Sequence, residues 1–213
     1  MRNYPNVLLD PAEIALCIID EQPEMFFGVE SIERMPVMNA IVGLAKTAKV
    51  FKIPVIFSTV EAKTFSGPLY SKLQSVFPNQ TPIDRTCLNA WEDMNFKKAV
   101  EAAGKKKIMI AGLWTEVCVT LPALSAKSEG YDVYIVADAS AGASKEAHDI
   151  SIQRMIQAGV KPVTWQASLL EMQRDWANKT TYDPVIQIIT EHGGVYGLGL
   201  EYAKAMVPQN AAN

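Results

Sequence analysis

Short, continuous apolar runs alternate along the chain with longer stretches in which apolar residues recur every three to four positions. Ile14-Ala15-Leu16-Cys17-Ile18-Ile19 is apolar throughout and ends on Asp20, the pattern of a strand covered on both faces. From Ser31 to Phe51 the positions Ile32, Met35, Val37, Ile41, Leu44 and Ala48 follow a helical period. Pro54 introduces a second strand, Val55-Ile56-Phe57, ended by Ser58 and Thr59. Glu92 to Ala103 reads as a helix closed by Gly104, and Lys107 to Ala111 as a strand closed by Gly112. A further helix runs to Glu129 and Gly130, followed by strand Val133 to Ala137. The last such unit is a helix from Lys145 to Ala158, Gly159, then strand Val163 to Trp165. Glycine just past a helix supplies a left-handed conformation that other residues reach only at a cost.

The threefold recurrence of helix, glycine and strand predicts an α/β fold. It is a three-layer, doubly wound, mostly parallel sheet of about six strands, with helices on both faces. Residues 1–178 form the expected domain and 179–213 a C-terminal extension. There Pro184 opens a short helix, Val185 to Thr190, and the apolar stretch Tyr196 to Val207 packs on the domain or on a neighbouring subunit. Pro78 to Asn89 is the least regular segment and is expected to lie over the strand ends.

Composition narrows the function. A net charge of −3 leaves no basic face for nucleic acid, and Lys105-Lys106-Lys107 reads as a solvated turn. No run of about 18 uncharged apolar residues can span a membrane, and Met1 to Pro5 lacks a signal-peptide core, so a cytoplasmic protein is expected. Three cysteines without close spacing form neither a disulfide framework nor a CxxC site, and His148 and His192 stand apart from any metal-ligand pattern. No dinucleotide or phosphate-loop motif is present, so no cofactor is expected.

Ligands of open α/β sheets bind at the carboxyl ends of the strands. That edge holds Asp20, then Ser58, Thr59 and Glu61, then Gly112 to Cys118, and Asp138 to Ser140. With Thr115 capping the next helix, Cys118 falls in its first turn, where free amides and the helix dipole favour a thiolate. Pro122 removes the amide that would bond to the Cys118 carbonyl, so this turn is expected to be kinked. The alternative is a thiol that merely packs. Asp20 either pairs with a cation or caps a turn, or serves as a base. Arg85 is the cation of the irregular segment, or a solvated surface residue. Cys17 reads as core, and Cys87 as an exposed loop residue without an activating neighbour.

The run Ile110-Ala111-Gly112-Leu113-Trp114-Thr115-Glu116-Val117-Cys118-Val119 resembles the nucleophile motif of isochorismatase-like cysteine hydrolases. Ile18-Ile19-Asp20-Glu21-Gln22 resembles that family's aspartate motif. Asn89-Ala90-Trp91, Pro122 to Ala126, Val136 to Ser140 and Thr164-Trp165 are similar to its YcaC-like subgroup. The resemblance spans residues 8–178. It implies a catalytic triad of Asp20, Cys118 and, in place of a lysine, Arg85, which cannot shuttle protons. It also implies a cis peptide at Leu113-Trp114 and an oxyanion hole from the amides of Trp114 and Cys118. The substrate pocket would be lined by Gln22, Phe26, Asn89, Trp91 and Thr115. The implied activity is hydrolysis of a small-molecule amide or acyl bond through a thioester. Vinyl-ether hydrolysis and a non-catalytic binding or assembly role are the alternatives. The resemblance further implies a homo-oligomer, an octamer, and disfavours the metal-binding nicotinamidase branch because no histidine follows the second strand.

Overall fold

The structure is a computed structural model that describes residues 7–206. Met1 to Pro5 and the end of the C-terminal extension, from Val207 on, lie outside the described residues. Six parallel strands form one sheet in the order β3-β2-β1-β4-β5-β6. They are β1 Ile14–Ile19, β2 Val55–Val60, β3 Ile83–Arg85, β4 Lys107–Leu113, β5 Asp132–Ala141 and β6 Lys161–Val163. Side chains alternate across each strand. In β1, Leu16 and Ile18 enter one apolar cluster, with α2 Arg34–Val50, α3 Ser71–Val76, α7 Trp165–Gln173 and α8 Lys179–His192. Ala15, Cys17 and Ile19 enter a second, with α4 Met94–Ala102, α5 Thr120–Ser128 and α6 Lys145–Gln157. Three layers result, with every residue of β1, β2 and β4 buried.

Gly104, Gly130 and Gly159 all adopt positive φ, as expected of residues that turn a helix back into the sheet. Gly112 has another reason to be glycine. It lies inside β4, where an added Cβ would stand 2.0 Å from the carbonyl oxygen of Ile19. The two central strands approach too closely there for any side chain, so the glycine does not end the strand.

Several boundaries differ from expectation. The irregular segment contains β3, and Arg85 is its last residue. Ser58 and Thr59 belong to β2, and Asp138 to Ser140 to β5, which bulges so that Ile135 to Ser140 spans only Ile110 to Gly112 of its partner. α1, Pro23–Phe27, has too few residues for a period to register. Trp165 opens α7, behind a Thr164 cap, instead of ending β6. Pro184 lies inside α8, and the chain accepts one missing backbone bond because Val185, Ile188 and Ile189 are buried on the domain. Lys107 is not a solvated turn residue: it opens β4, is 7% exposed and pairs with Glu13 at 2.7 Å. The tail continues as α9, Val195–Met206, which packs on α8 and leaves Val195, Leu198, Tyr202 and Met206 exposed.

Candidate active site

In this topology the chain runs to β2 and β3 on one side of β1, and to β5 and β6 on the other side of β4. The crevice between the carboxyl ends of β1 and β4 is thus the position at which open α/β sheets receive ligands. Asp20 directly follows β1, at φ 56°, with its amide still donating to Ser58 O at 2.9 Å. Aspartate tolerates this left-handed conformation better than most residues. Cys118 sits in the turn after β4, and Arg85 reaches across from β3.

These three side chains meet out of water. Arg85 Nη2 lies 2.6 Å from Asp20 Oδ2, and both side chains are fully buried, so the solvated-arginine alternative is excluded. The guanidinium is held at two further points: Nε donates to Ser58 Oγ at 3.1 Å, and Nη1 donates to the carbonyl of Cys87. Arg85 is therefore a fixed cation. Cys118 is 3% exposed and lies near enough to Asp20 for each to shift the other's ionisation, and Asp20 Oδ1 has no hydrogen-bond partner among the described residues. Burial raises Asp20 to about 6, against the lowering influence of Arg85 and then of the thiol. Burial, followed by the Asp20 charge, pushes the Cys118 thiol up to about 12, with Arg85 opposing. Burial thus works against the thiolate expected at a helix terminus, while Arg85 works for it.

The turn itself explains why no regular cap forms. The Leu113-Trp114 peptide is cis. Thr115–Val119 is a π-helical turn, in which the carbonyl of Trp114 accepts from the amides of both Val117 (3.1 Å) and Val119 (3.4 Å). The kink expected from Pro122 is present in this form. Thr115 is not the cap. Its hydroxyl lies 2.8 Å from His148 Nδ1, and its carbonyl accepts from Thr120 Oγ1 at 2.6 Å. The Trp114 indole donates to Met25 O at 2.9 Å and lies against Gly28, where a Cβ would meet the ring at 2.4 Å.

The other expected pocket residues have partners within the scaffold. Gln22 brackets the end of β2, accepting from Val60 N at 2.8 Å and donating to Val60 O and Gly67 O at 3.1 and 2.6 Å. Phe26 packs edge-on to Tyr70, and Trp91 packs edge-on to Phe96 and Tyr131. Asn89 caps Trp91 N and donates to Glu92 and Ser125. A cleft of about 660 Å³, lined by Thr59, Lys63, Leu69, Gln74 and Asp84 among others, includes none of the three clustered groups. Two further residues stand near the cluster, Ser58 on the strand-end edge singled out above and Glu21, to which the sequence assigned no role. Ser58 positions Arg85, and Glu21 is fully buried with neither carboxyl oxygen hydrogen-bonded among the described residues. Glu21 did carry a signal, a second charge immediately beyond the Asp20 that ends a buried strand. Cys87 is half-buried. Among the described residues there is no group of side chains that could hold a metal ion, and no helix long and apolar enough to cross a membrane.

A parallel α/β sheet with a buried thiol, carboxylate and guanidinium at its topological switch point defines the class of molecule. The model of the isochorismatase domain matches residues 14–167. The chain belongs to the isochorismatase family of hydrolases, and within it to the YcaC type. The probable hydrolase YcaC of Escherichia coli is 39% identical over 175 residues, 82% of this chain and 84% of that protein. A crystal structure of the E. coli YcaC product, described as an octameric hydrolase of unknown specificity, superposes with a TM-score of 0.88 at 36% identity, covering 95% of this chain and all of that one. YcaC from Pseudomonas aeruginosa, solved with hexane-2,5-diol and covalent acrylamide, superposes with a TM-score of 0.89 at 32% identity and the same coverage.

Proposed function

We propose that this hydrolase cleaves a small amide or related acyl bond through a thioester on Cys118, with Asp20 as the base and Arg85 as a fixed counter-charge. The observation that supports this reading is the burial of Cys118 at the same strand ends as the 2.6 Å Arg85–Asp20 pair, with burial raising both the thiol and the carboxyl. Such a thiol does not ionise in advance. It loses its proton to Asp20 as its sulfur attacks the substrate carbonyl, and the oxyanion is received by the amides of Trp114 and Cys118. Protonated Asp20 then gives its proton to the leaving amine as the C–N bond breaks. Water, deprotonated by Asp20, attacks the thioester, and the thiol and acid are released with the proton returned to sulfur. Arg85 keeps the Asp20 charge tolerable in the protein interior and takes no part in proton transfer. The scheme needs no cofactor.

The covalent acrylamide on the P. aeruginosa relative supports the reading, since forming such an adduct requires a nucleophile. The direct test is turnover of a panel of small amides by the parent and by Cys118→Ala. A variant that matches the parent on a substrate the parent hydrolyses overturns the assignment. Brief iodoacetamide treatment read by mass spectrometry separates this reading from a non-catalytic assembly protein: the Cys118 rate should fall in Asp20→Asn, which removes the base, while the Cys87 rate stays unchanged.

We also infer a catalytic unit of residues 1–178 and a homo-oligomer in which the 179–213 extension takes part. The E. coli relative is described as octameric, and α9 presents Val195, Leu198, Tyr202 and Met206 at helical spacing to solvent. Light scattering that returns a monomer at micromolar concentration overturns this.

A further inference from the structure

The turn that carries Cys118 is tied to a histidine outside the three-group cluster. His148, half-buried in the second turn of α6, shares its 2.8 Å hydrogen bond with Thr115 Oγ1, three residues before the thiol. Thr115 is fully buried, and its carbonyl is fixed by Thr120 Oγ1. One residue on, Glu116 Oε1 accepts from the amide of Ala143, in the connection that leads into α6. Thus α6 and its leading turn hold both residues that open the π-helical turn. That hold matters because the turn lacks a regular α-helical ladder: one carbonyl, that of Trp114, receives two amides, and Pro122 supplies none. Side-chain ties must define what backbone bonds leave loose.

We propose that His148 is a positioning residue for catalysis, holding the Cys118 turn in its attacking geometry through Thr115. The inference rests on Cys118 being the nucleophile. His148 is also titratable. Burial lowers it from its ordinary value, and the charges facing it are Glu116 from the turn and Asp149 and Lys145 from α6. As a neutral ring it can accept the threonine hydroxyl proton; as a cation it can only donate. The geometry of the turn should therefore carry a pH dependence that Asp20 alone does not explain.

The test measures iodoacetamide modification of Cys118 in the folded protein between pH 5 and 9, for the parent, His148→Ala, His148→Asn and Thr115→Val. Asparagine retains a polar atom at the Nδ1 position. His148→Ala and Thr115→Val should each lower the Cys118 rate, by up to about 10²-fold for a displacement of the reacting group by about 1 Å, and remove one inflection from the pH profile. Their double variant should be no worse than either single one, and His148→Asn should recover most of the rate. On an amide substrate, kcat should fall while KM stays within about twofold. Cys17 should stay unmodified in every variant, which reports that the core is folded. The proposal is overturned if the His148→Ala profile overlays the parent, if the two losses multiply, if asparagine restores nothing, or if Cys118 reacts in none of the proteins. Turnover surviving in Cys118→Ala defeats the nucleophile assignment itself, and the modification profiles keep that failure apart from a failure of the His148 tie.

Discussion

Cys17, in the middle of β1, and Cys118, at the carboxyl edge of the sheet, lie in the same apolar cluster. Both are nearly inaccessible, and burial pushes both thiols up to about 12. For Cys17 the cause is burial. Cys118 also feels a carboxylate that can take its proton and a guanidinium that favours its anion. Hydrophobic surroundings silence a thiol, and the difference between a core residue and a candidate nucleophile lies in which charged groups share the burial. The sharpest way to break this comparison is to remove each sulfur in turn. Cys118→Ala should lower kcat by about 10⁴-fold or more, the order expected when the nucleophile of a coupled set is lost. Cys17→Ala should leave turnover within about twofold, because it removes a packing contact but none of Cys118, Asp20 and Arg85. Equal losses in steady-state assays would mean that the two cysteines differ only in packing.

The second test removes the cation. Arg85→Met leaves the Asp20 charge buried without its partner, which costs about 3–5 kcal/mol when a buried pair is broken this way. The sign with pH is fixed by the raised carboxyl. Below about pH 6 Asp20 is protonated in the fold, so the deficit of the variant should shrink as pH falls. Urea unfolding at pH 5 and pH 8 measures this, and a deficit that grows toward acid would show that Arg85 stabilises something other than Asp20. In the parent, the same carboxyl predicts an acid limb of kcat/KM with its midpoint near 6, measured from rates between pH 4.5 and 8. Asp20→Asn should remove both the limb and most of the rate.

Much of this was legible in the sequence, and the reasons differ by region. β1, β4 and the helix–glycine–strand units were readable because parallel strands buried on both faces are apolar throughout, and because three glycines end helices. The motif around Cys118 and the carboxylate after β1 pointed to the crevice for the same reason. What was hidden depended on contacts distant in sequence. β3 has only three residues and no apolar alternation, so Arg85 looked like a loop residue until pairing with β2 placed it on the sheet. Thr115 had the residue type of a cap, yet its hydroxyl meets His148, 33 residues away. The scaffold partners of Gln22, Asn89 and Trp91, from Val60 to Ser125 and Tyr131, are likewise contacts that no local pattern announces.

The contrast between the two thiols extends to two adjacent carboxyls, and this gives the smallest effect. Asp20 and Glu21 are both fully buried, but only Asp20 has a cation. Glu21 is raised well above its ordinary value, first by burial and then by the Asp20 charge. A carboxyl whose folded pKa exceeds its unfolded one contributes most when protonated in both states, and that contribution is lost as pH rises toward the folded pKa. Relative to Glu21→Gln, which cannot ionise, the parent should therefore lose about 1.4 kcal/mol of stability per pH unit from roughly pH 4.3 up to the folded pKa of Glu21. The slope is the readout, because any fixed cost of placing an amide there shifts both ends of the comparison equally. Urea midpoints of the two proteins at pH 5, 6 and 7 supply it. Parallel stabilities would mean that Glu21 ionises in the fold as readily as outside it. Arg85 would then have to serve two buried carboxylates rather than one, and the single base assigned to Cys118 would become a pair.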